Sequence, residues 1–388
     1  MFLKKNKINW PAWPNIKKKH LNAVSKVLKK NQLFAAEEVK KFETEFGKFN
    51  NSKYVKAVGN ATQGLHLALS ALEIGYGDEV IVTGFSWIST ASCILMQNAK
   101  PVFVDIEKNT LGADPKEIEK KITKKTKAII VVHMFGNICK IEEVSKIAKK
   151  NNVFLIEDAS HAHGANLKNV NSGNFSDIAV FSCHQRKNLF CGEGGLVVCR
   201  KKKHNDKIYK LRSFGEKKLS YNYRMTEAYA AIGRVSLKTL KTENRQRLKN
   251  ANNIIKLLKN SKGFNIIKPK KNSLGVFHKL IINYEYKYFR KNLGYLINHL
   301  NKKGIPANRV YVPLNHHTNF NITKSKNKSF PNINLRYKKN VSLPVTEEFS
   351  YKRLFELSIH PGTKIKHIEF FTTALNDYEK KFYKFKNK

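Results

Sequence analysis

Lys187, in the segment SCHQRKNLFCGEGG at 182–195, has the residue type and surroundings of a catalytic group. It lies five residues after Ser182, which ends an apolar run, and six residues before Glu193 in a glycine-rich turn. A lysine whose amine is kept neutral can form a Schiff base with a carbonyl group. Most lysines are solvated surface charges. The position beside a glycine turn at a strand end favours a chemical role for this one.

Asp158 ends the apolar run VFLIE and is followed by Ser160, His161 and His163. One interpretation is a metal site, because this pattern offers oxygen and nitrogen ligands. A second is the aspartate of a nucleotide-hydrolysing site, but the sequence has no GxxxxGK[ST] loop to hold phosphates. A third is a helix-capping aspartate with incidental histidines.

Two further segments could bind a flat, anionic ligand. The stretch from Gly59 to Gly64 precedes a helical pattern, and its small residues and capping Thr62 would leave backbone N–H groups free for an anion. Phe85 and Trp87 follow the run VIVTG. They place aromatic faces at the same sheet edge, or else belong to the ordinary core.

The elements that would position these groups alternate between strand and helix. Helical periodicity, as in IEEVSKIAKK at 141–150, separates several short apolar runs. The predicted strands are at 80–82, 101–106, 128–134, 153–158, 177–182 and 194–200. Such alternation predicts βαβ units and an α/β domain with a mostly parallel sheet. Ligands gather at the carboxyl ends of parallel strands, where the candidate residues lie.

The rest of the chain predicts a second domain. Residues 225–260 have a helical pattern with a break near 241–243, and strand-like and helical pieces follow a polar stretch at 268–273. The segment at 323–340 is a loop rich in lysine and asparagine. We therefore expect a large domain at 1–245 and a smaller α+β domain at 246–388.

Composition restricts the class of protein. A chain of 388 residues that is 41% hydrophobic can bury a full core, which excludes a disordered protein. The formal net charge of +44 raises the possibility of nucleic-acid binding. However, only 11 of the 73 basic residues are arginine, and the lysines are spread along the chain. Compositional bias is the better explanation, although a basic surface would still attract acidic small substrates.

Three absences in the sequence predict the compartment. The apolar stretches are far shorter than the ~18 residues of a membrane-spanning helix, and the N-terminus lacks the apolar region of a secretory signal. The five cysteines are odd in number and include no CxxC pair, which argues against a disulfide framework and against a structural zinc site. We expect a cytoplasmic protein with no bound metal.

One cofactor accounts for a phosphate cradle, a carboxylate, an aromatic plate and a Schiff-base lysine at one edge: pyridoxal 5′-phosphate. In these residues, the sequence resembles the DegT/DnrJ/StrS family of fold-type I pyridoxal phosphate enzymes. Most of these are aminotransferases that act on keto groups of nucleotide-linked sugars. The resemblance covers nearly the whole chain, in segments at 40–46, 60–69, 77–87, 101–106, 131–137, 156–165, 181–195, 221–233 and 342–345.

The resemblance implies a role for each site residue. Lys187 would form the Schiff base and move the proton, and Asp158 would face the pyridine nitrogen. The other residues that it implies bind the cofactor: His161 near the ring hydroxyl, Trp87 stacked on the ring, Ala61, Thr62 and Ser182 at the phosphate, and Asn222 reaching the phosphate from a partner subunit. The active sites would then be shared within a homodimer.

The implied reaction transfers an amino group from glutamate or glutamine to a nucleotide-linked keto-sugar. A branch of the family that dehydrates sugars has histidine at the lysine position, so Lys187 favours transamination. Three alternatives stay open at this point: a keto-cyclitol acceptor, a regulatory or nucleic-acid-binding protein on an inactive fold, and a metal hydrolase built on Asp158, His161 and His163.

Overall fold

The computed structural model describes residues 7–214, 219–321 and 340–384. The strands are β1 (Tyr54–Val58), β2 (Glu79–Thr83), β3 (Lys100–Val104), β4 (Thr126–Val132), β5 (Phe154–Asp158), β6 (Asn166–Leu167), β7 (Val170–Asn171), β8 (Ile178–Ser182), β9 (Gly195–Cys199), β10 (Phe264–Ile266), β11 (Ser273–Leu274), β12 (Leu280–Tyr284), β13 (Ala307–Arg309) and β14 (Leu354–Leu357). The helices are α1 (Lys18–Lys29), α2 (Glu37–Asn50), α3 (Ala61–Ala71), α4 (Ser89–Met96), α5 (Pro115–Lys121), α6 (Ile141–Lys150), α7 (Lys202–Arg212), α8 (Glu227–Leu257), α9 (Leu293–Lys302), α10 (Pro344–Glu348) and α11 (Ile365–Phe382).

The large sheet has seven strands in the order β1-β9-β8-β5-β4-β2-β3. Strands β3, β2, β4, β5 and β8 pair in parallel, and β9 runs antiparallel to both β8 and β1. The predicted α/β class and mostly parallel sheet are therefore confirmed. The carboxyl ends of β5 and β8 lie side by side, so Asp158 and Ser182 emerge at the same edge.

Both faces of this sheet are buried, as expected for parallel strands covered by helices. Along β4, Ile129 and Val131 pack into one core while Ala128 and Ile130 pack into the other. Charged residues at the helix ends help to explain why these segments form helices. In α6, for example, acidic residues occupy the first turn and lysines the last, which matches the helix dipole.

A four-stranded antiparallel sheet, β10-β12-β14-β13, forms the centre of the C-terminal part. Its core also receives side chains from α9 and α11. The N-terminal segment joins this part of the molecule, because the Ile8 N–H donates to the Lys303 carbonyl at 3.0 Å. The Trp10 indole N–H likewise donates to the Ser358 carbonyl at 3.0 Å.

Some sequence predictions differ from the structure. The predicted helix break near 241–243 is wrong, because α8 runs unbroken from Glu227 to Leu257. The proposed domain boundary at 245–246 falls inside this helix and stays a prediction. Strand β1 was not predicted, and the lysine- and asparagine-rich loop lies almost wholly outside the described residues. Within the described ranges no helix is both long and apolar enough to cross a membrane.

Candidate active site

Lys187 lies on the loop at 183–194 that connects β8 to the antiparallel strand β9. Backbone hydrogen bonds of 2.8 Å from Cys183 to Gly194 and from Cys191 to Cys183 close the base of this loop. The Trp13 indole N–H donates to the Lys187 carbonyl at 3.3 Å, which fixes the loop from outside. These hydrogen bonds tie the backbone of the loop that carries Lys187 to its surroundings.

The Lys187 amine has an altered acidity. Burial lowers its pKa to about 8, against the opposing effect of the nearby Asp158 carboxylate. An ordinary lysine has a pKa near 10.4, so it holds almost no neutral amine at pH 7. The shift leaves about a tenth of the Lys187 amine neutral at that pH, which is the form that attacks a carbonyl.

Asp158 ends β5 and is buried with its carboxylate held on two sides. The Thr90 hydroxyl donates to Oδ2 at 2.8 Å, and the Ser160 N–H donates to Oδ1 at 3.1 Å. The preceding acid, Glu157, serves a different purpose. Its carboxylate accepts from the Gly173 N–H at 2.7 Å and contacts the His133 ring at 2.8 Å. Successive strand residues point to opposite faces, so one acid is structural and the other faces the cavity.

The N-terminus of α3 provides an anion site. Asn60 caps the helix by accepting from the Gln63 N–H at 2.9 Å. The first N–H groups of a helix have no intrahelical partner, so those of Ala61 and Thr62 are available to a ligand. A Cβ atom on Gly195 would lie 2.8 Å from the Asn60 carbonyl carbon. Glycine is thus required there for β9 to pack against the turn.

Aromatic and imidazole rings lie beside these groups. His161 Nδ1 accepts from the Phe135 N–H at 3.3 Å, so Nε2 carries the proton and lies 3.4 Å from the Tyr311 hydroxyl. The His161 ring stacks on the His278 ring at 4.5 Å. Trp87 is 58% exposed beside the cavity, with its ring 6.1 Å from that of Tyr311. An exposed indole at this position offers a free face to a flat ligand.

These groups meet in one cavity of about 550 Å³. Seven of the eight residues predicted from the sequence line it: Ala61, Thr62, Trp87, Asp158, His161, Ser182 and Lys187. The eighth, Asn222, is exposed and does not line the cavity of the single chain.

The cavity also contains residues that the sequence did not reveal. Tyr311, His278, Lys279 and Glu356 come from the C-terminal part, and Thr90 comes from α4. Thr90 follows Trp87 by three residues and could have been considered with it. The other four have no local signal, because only the packing of the second sheet against the first brings them to the site.

The metal alternative gains no support from the described residues. No cluster of three histidine, cysteine, aspartate or glutamate side chains in this part of the chain could hold a metal ion. His163 is fully buried outside the cavity lining, and burial lowers its pKa to about 3. His161 is the one histidine of the predicted triad that lines the cavity with Asp158.

Comparison with known proteins identifies the family. Residues 14–356 match the profile of the DegT/DnrJ/EryC1/StrS aminotransferase family. The chain belongs to this family. It is 32% identical over 348 residues to GDP-perosamine synthase of Escherichia coli O157:H7, covering 88% of this chain and 90% of that protein.

Solved structures of aminotransferases share the fold. That of the aminotransferase from Psychrobacter cryohalolentis has 27% identity and a TM-score of 0.88 over 96% of this chain and 99% of that one. Helicobacter pylori PseC, an aminotransferase involved in the biosynthesis of pseudoaminic acid, has 26% identity and a TM-score of 0.85 over 95% and 98%. This member of the DegT/DnrJ/EryC1/StrS family is therefore a fold-type I, pyridoxal phosphate-dependent sugar aminotransferase.

The residues present fit this cofactor. The cavity presents a lysine of lowered pKa, a buried carboxylate and a helix N-terminus whose first N–H groups are available to a phosphate. The close approach of Gly195 to the Asn60 backbone keeps that N-terminus in place. The DegT/DnrJ/StrS resemblance inferred from the sequence is confirmed.

Proposed function

We propose that this enzyme transfers an amino group from glutamate or glutamine to a keto group of a nucleotide-linked sugar. The observation that supports this most is that Lys187 and Asp158 line one cavity together with the N-terminus of α3. When bound, pyridoxal phosphate supplies a carbonyl that condenses with amines and a ring that withdraws electrons. The chain itself has to hold that ring and move protons.

In this proposal Lys187 anchors the cofactor and acts as the base. Its neutral amine would hold the cofactor covalently, and the same amine would take up and release the proton that moves during amino transfer. Asp158 would hold the ring by an ion pair with its protonated nitrogen. The hydrogen bonds from Thr90 and Ser160 hold the carboxylate in place for this task.

The remaining cavity residues hold the cofactor. The N–H groups of Ala61 and Thr62 and the Ser182 hydroxyl bind the phosphate at the end of α3. Trp87 stacks its exposed indole on one face of the ring. His161 would offer its Nε2–H, which now lies 3.4 Å from the Tyr311 hydroxyl, to the ring hydroxyl, because its Nδ1 accepts from the Phe135 N–H.

The nature of the acceptor is supported by the relatives and by charge. The name GDP-perosamine synthase indicates a nucleotide-linked sugar product in a relative that covers most of this chain. The formal net charge of +44 would attract a nucleotide diphosphate towards the enzyme. Products of this kind serve the biosynthesis of polysaccharides and other surface glycans.

We further propose a homodimer with shared active sites. Asn222 is exposed and lies outside the cavity of its own chain, as expected for a residue that completes the site of a partner subunit. The five cysteines are all free thiols, which fits a reducing compartment and supports the cytoplasm as the location.

The proposal is tested with ¹⁵N-labelled L-glutamate or L-glutamine and a panel of nucleotide-linked keto-sugars and keto-cyclitols. Mass spectrometry of the products should find the label in a nucleotide-linked amino sugar. Lys187→Ala should reduce the rate by at least about 100-fold, since it removes the proton-transfer base. Label that enters only a cyclitol, or no product at all, would contradict the proposed acceptor.

A further inference from the structure

The C-terminal part of the chain contributes an ion pair to the cavity that the roles above do not use. Lys279 directly precedes β12 and Glu356 lies on β14. The pairing of Ile281 with Glu356 brings them together, and Lys279 Nζ lies 3.3 Å from Glu356 Oε1. Both side chains are mostly buried, with 19% and 16% of their surfaces exposed. Both line the same cavity as Lys187.

Lys279 is the best-placed cation for binding a substrate anion. The cationic residues among those that line the cavity, in the described part of the chain, are Arg186, Lys187 and Lys279. Lys187 is committed to the cofactor, and Arg186 is exposed. The histidines do not supply charge, because burial lowers the pKa values of His161 and His278 well below their usual range and also lowers that of His184.

The position of Lys279 in the cavity that contains Lys187 indicates which anion it meets. Lys279 and Lys187 line the same cavity, and the charge of Lys279 is among the effects that lower the pKa of Lys187. The donor carbon that exchanges its proton with Lys187 carries its α-carboxylate one bond away. The diphosphate of a sugar nucleotide is separated from the reacting keto carbon by several bonds. In the structure, Lys279 is already paired with one carboxylate, that of Glu356.

We propose that Lys279 binds the α-carboxylate of the amino donor, and that the donor competes with Glu356 for this cation. This inference rests on the proposed aminotransferase function. An ammonium group has three donor hydrogens, so Lys279 can shift towards the donor and need not lose Glu356 completely. A charge-assisted hydrogen bond in a partly buried site is strong enough to dominate donor affinity.

The test compares three donors in the half-reaction of the cofactor-loaded enzyme, followed by the loss of visible absorbance. L-Glutamate has both carboxylates, L-glutamine retains only the α-carboxylate, and L-isoglutamine has an amide at the α position. Lys279→Met should raise the half-saturating concentration of glutamate and glutamine by about 10- to 100-fold and leave that of isoglutamine unchanged. Lys279→Arg should restore part of the affinity.

Two further variants sharpen the test. Glu356→Gln removes the competing carboxylate and should lower the half-saturating glutamate concentration several-fold. Lys150→Met removes an exposed lysine that pairs with Glu119 at 3.1 Å on the surface, and should change nothing. If Lys279→Met fails to bind cofactor, the Glu356→Gln and Lys279→Arg variants decide the question.

The possible failures can be told apart. If the wild-type enzyme converts none of the three donors, the proposed function itself is wrong. If the wild type converts glutamate and Lys279→Met retains the same affinity, the inference alone is wrong. The inference is also overturned if Lys279→Met weakens the binding of isoglutamine and glutamate but not that of glutamine. The same holds if the variant weakens only the inhibition of the enzyme by a nucleoside diphosphate.

Discussion

Glu157 and Asp158, the last two residues of β5, have different surroundings and therefore different roles. Glu157 is completely buried and accepts hydrogen bonds from the backbone of Gly173 and Phe175 at 2.7 and 2.9 Å. Asp158 faces the cavity and receives two hydrogen bonds that hold it without using all its acceptor positions. The two acids are adjacent in sequence, so only their surroundings assign the roles.

Substituting each acid by its amide should separate these roles. In Glu157→Gln the new amide group meets N–H donors, and we expect a loss of about 3 kcal/mol in the free energy of unfolding. Asp158→Asn should change the stability of the cofactor-free protein by less than about 1 kcal/mol, because Thr90 can reorient. It should weaken cofactor binding at least about tenfold, since the ion pair to the ring is lost. Urea unfolding and cofactor titration measure both, and a reversed pattern would contradict the assignment.

The lowered pKa of Lys187 predicts a pH dependence of cofactor attachment. Burial brings this pKa to about 8, so protonation blocks the amine below that pH and the neutral form dominates above it. The rate at which the cofactor-free protein acquires visible absorbance with pyridoxal phosphate should rise up to about pH 8 and then level off. An ordinary lysine would give a rate that rises to about pH 10.4. If the rate of cofactor attachment still rose tenfold per pH unit above pH 9, burial would not lower the pKa of the Lys187 amine.

At the scale of elements, the site depends on close packing between α3 and β9. Gly195 begins β9, and its hydrogen atoms face the backbone of Asn60 and Ala61. This contact places the helix N-terminus at the sheet edge where β5 and β8 also end. The proposed phosphate site is therefore formed by two elements in contact, with the glycine between them.

Gly195→Ala should displace the start of α3. The added Cβ would lie 2.9 Å from the Ala61 nitrogen, so the backbone has to move and cofactor affinity should fall at least about tenfold. Gly75→Ala is a suitable control, because its Cβ would have no neighbour closer than 3.6 Å. Equilibrium binding of pyridoxal phosphate to both variants tests this. Equal affinities in the two variants would refute the packing argument.

Much of this architecture could be predicted from local patterns. Strands β2, β4, β5 and β8 are short runs of apolar residues, and the residues after them mark the sheet edge that forms the cavity. The contribution of Tyr311, Lys279 and Glu356 could not be predicted, because it depends on how the second sheet docks. The predicted helix break near 241–243 is wrong, because α8 continues through this segment.

At the scale of the whole molecule, we propose that each active site needs residues of two chains. The cavity of one chain includes Lys187 but not Asn222, which is exposed elsewhere on the surface. If Asn222 reaches the phosphate of the partner subunit, each site combines residues of both chains. Symmetric dimers place such contributions reciprocally.

Complementation between two inactive variants tests the shared site. A Lys187→Ala chain and an Asn222→Ala chain that form a mixed dimer recreate one complete site and one doubly defective site. Unfolding and refolding an equal mixture yields half mixed dimers, so about a quarter of wild-type activity should return. Activity no greater than the sum of the separate variants would show that each site is built from a single chain.

The most direct test of the account is to locate the cofactor on the chain before and after it receives an amino group. Reduction of the loaded enzyme with borohydride, followed by peptide mass spectrometry, should find the pyridoxyl group on Lys187. Prior incubation with L-glutamate should leave Lys187 unmodified, because the nitrogen has moved to the cofactor, and a nucleotide-linked keto-sugar should restore the modification. A label on another lysine, or a label on Lys187 that glutamate does not change, would contradict the proposed amino transfer.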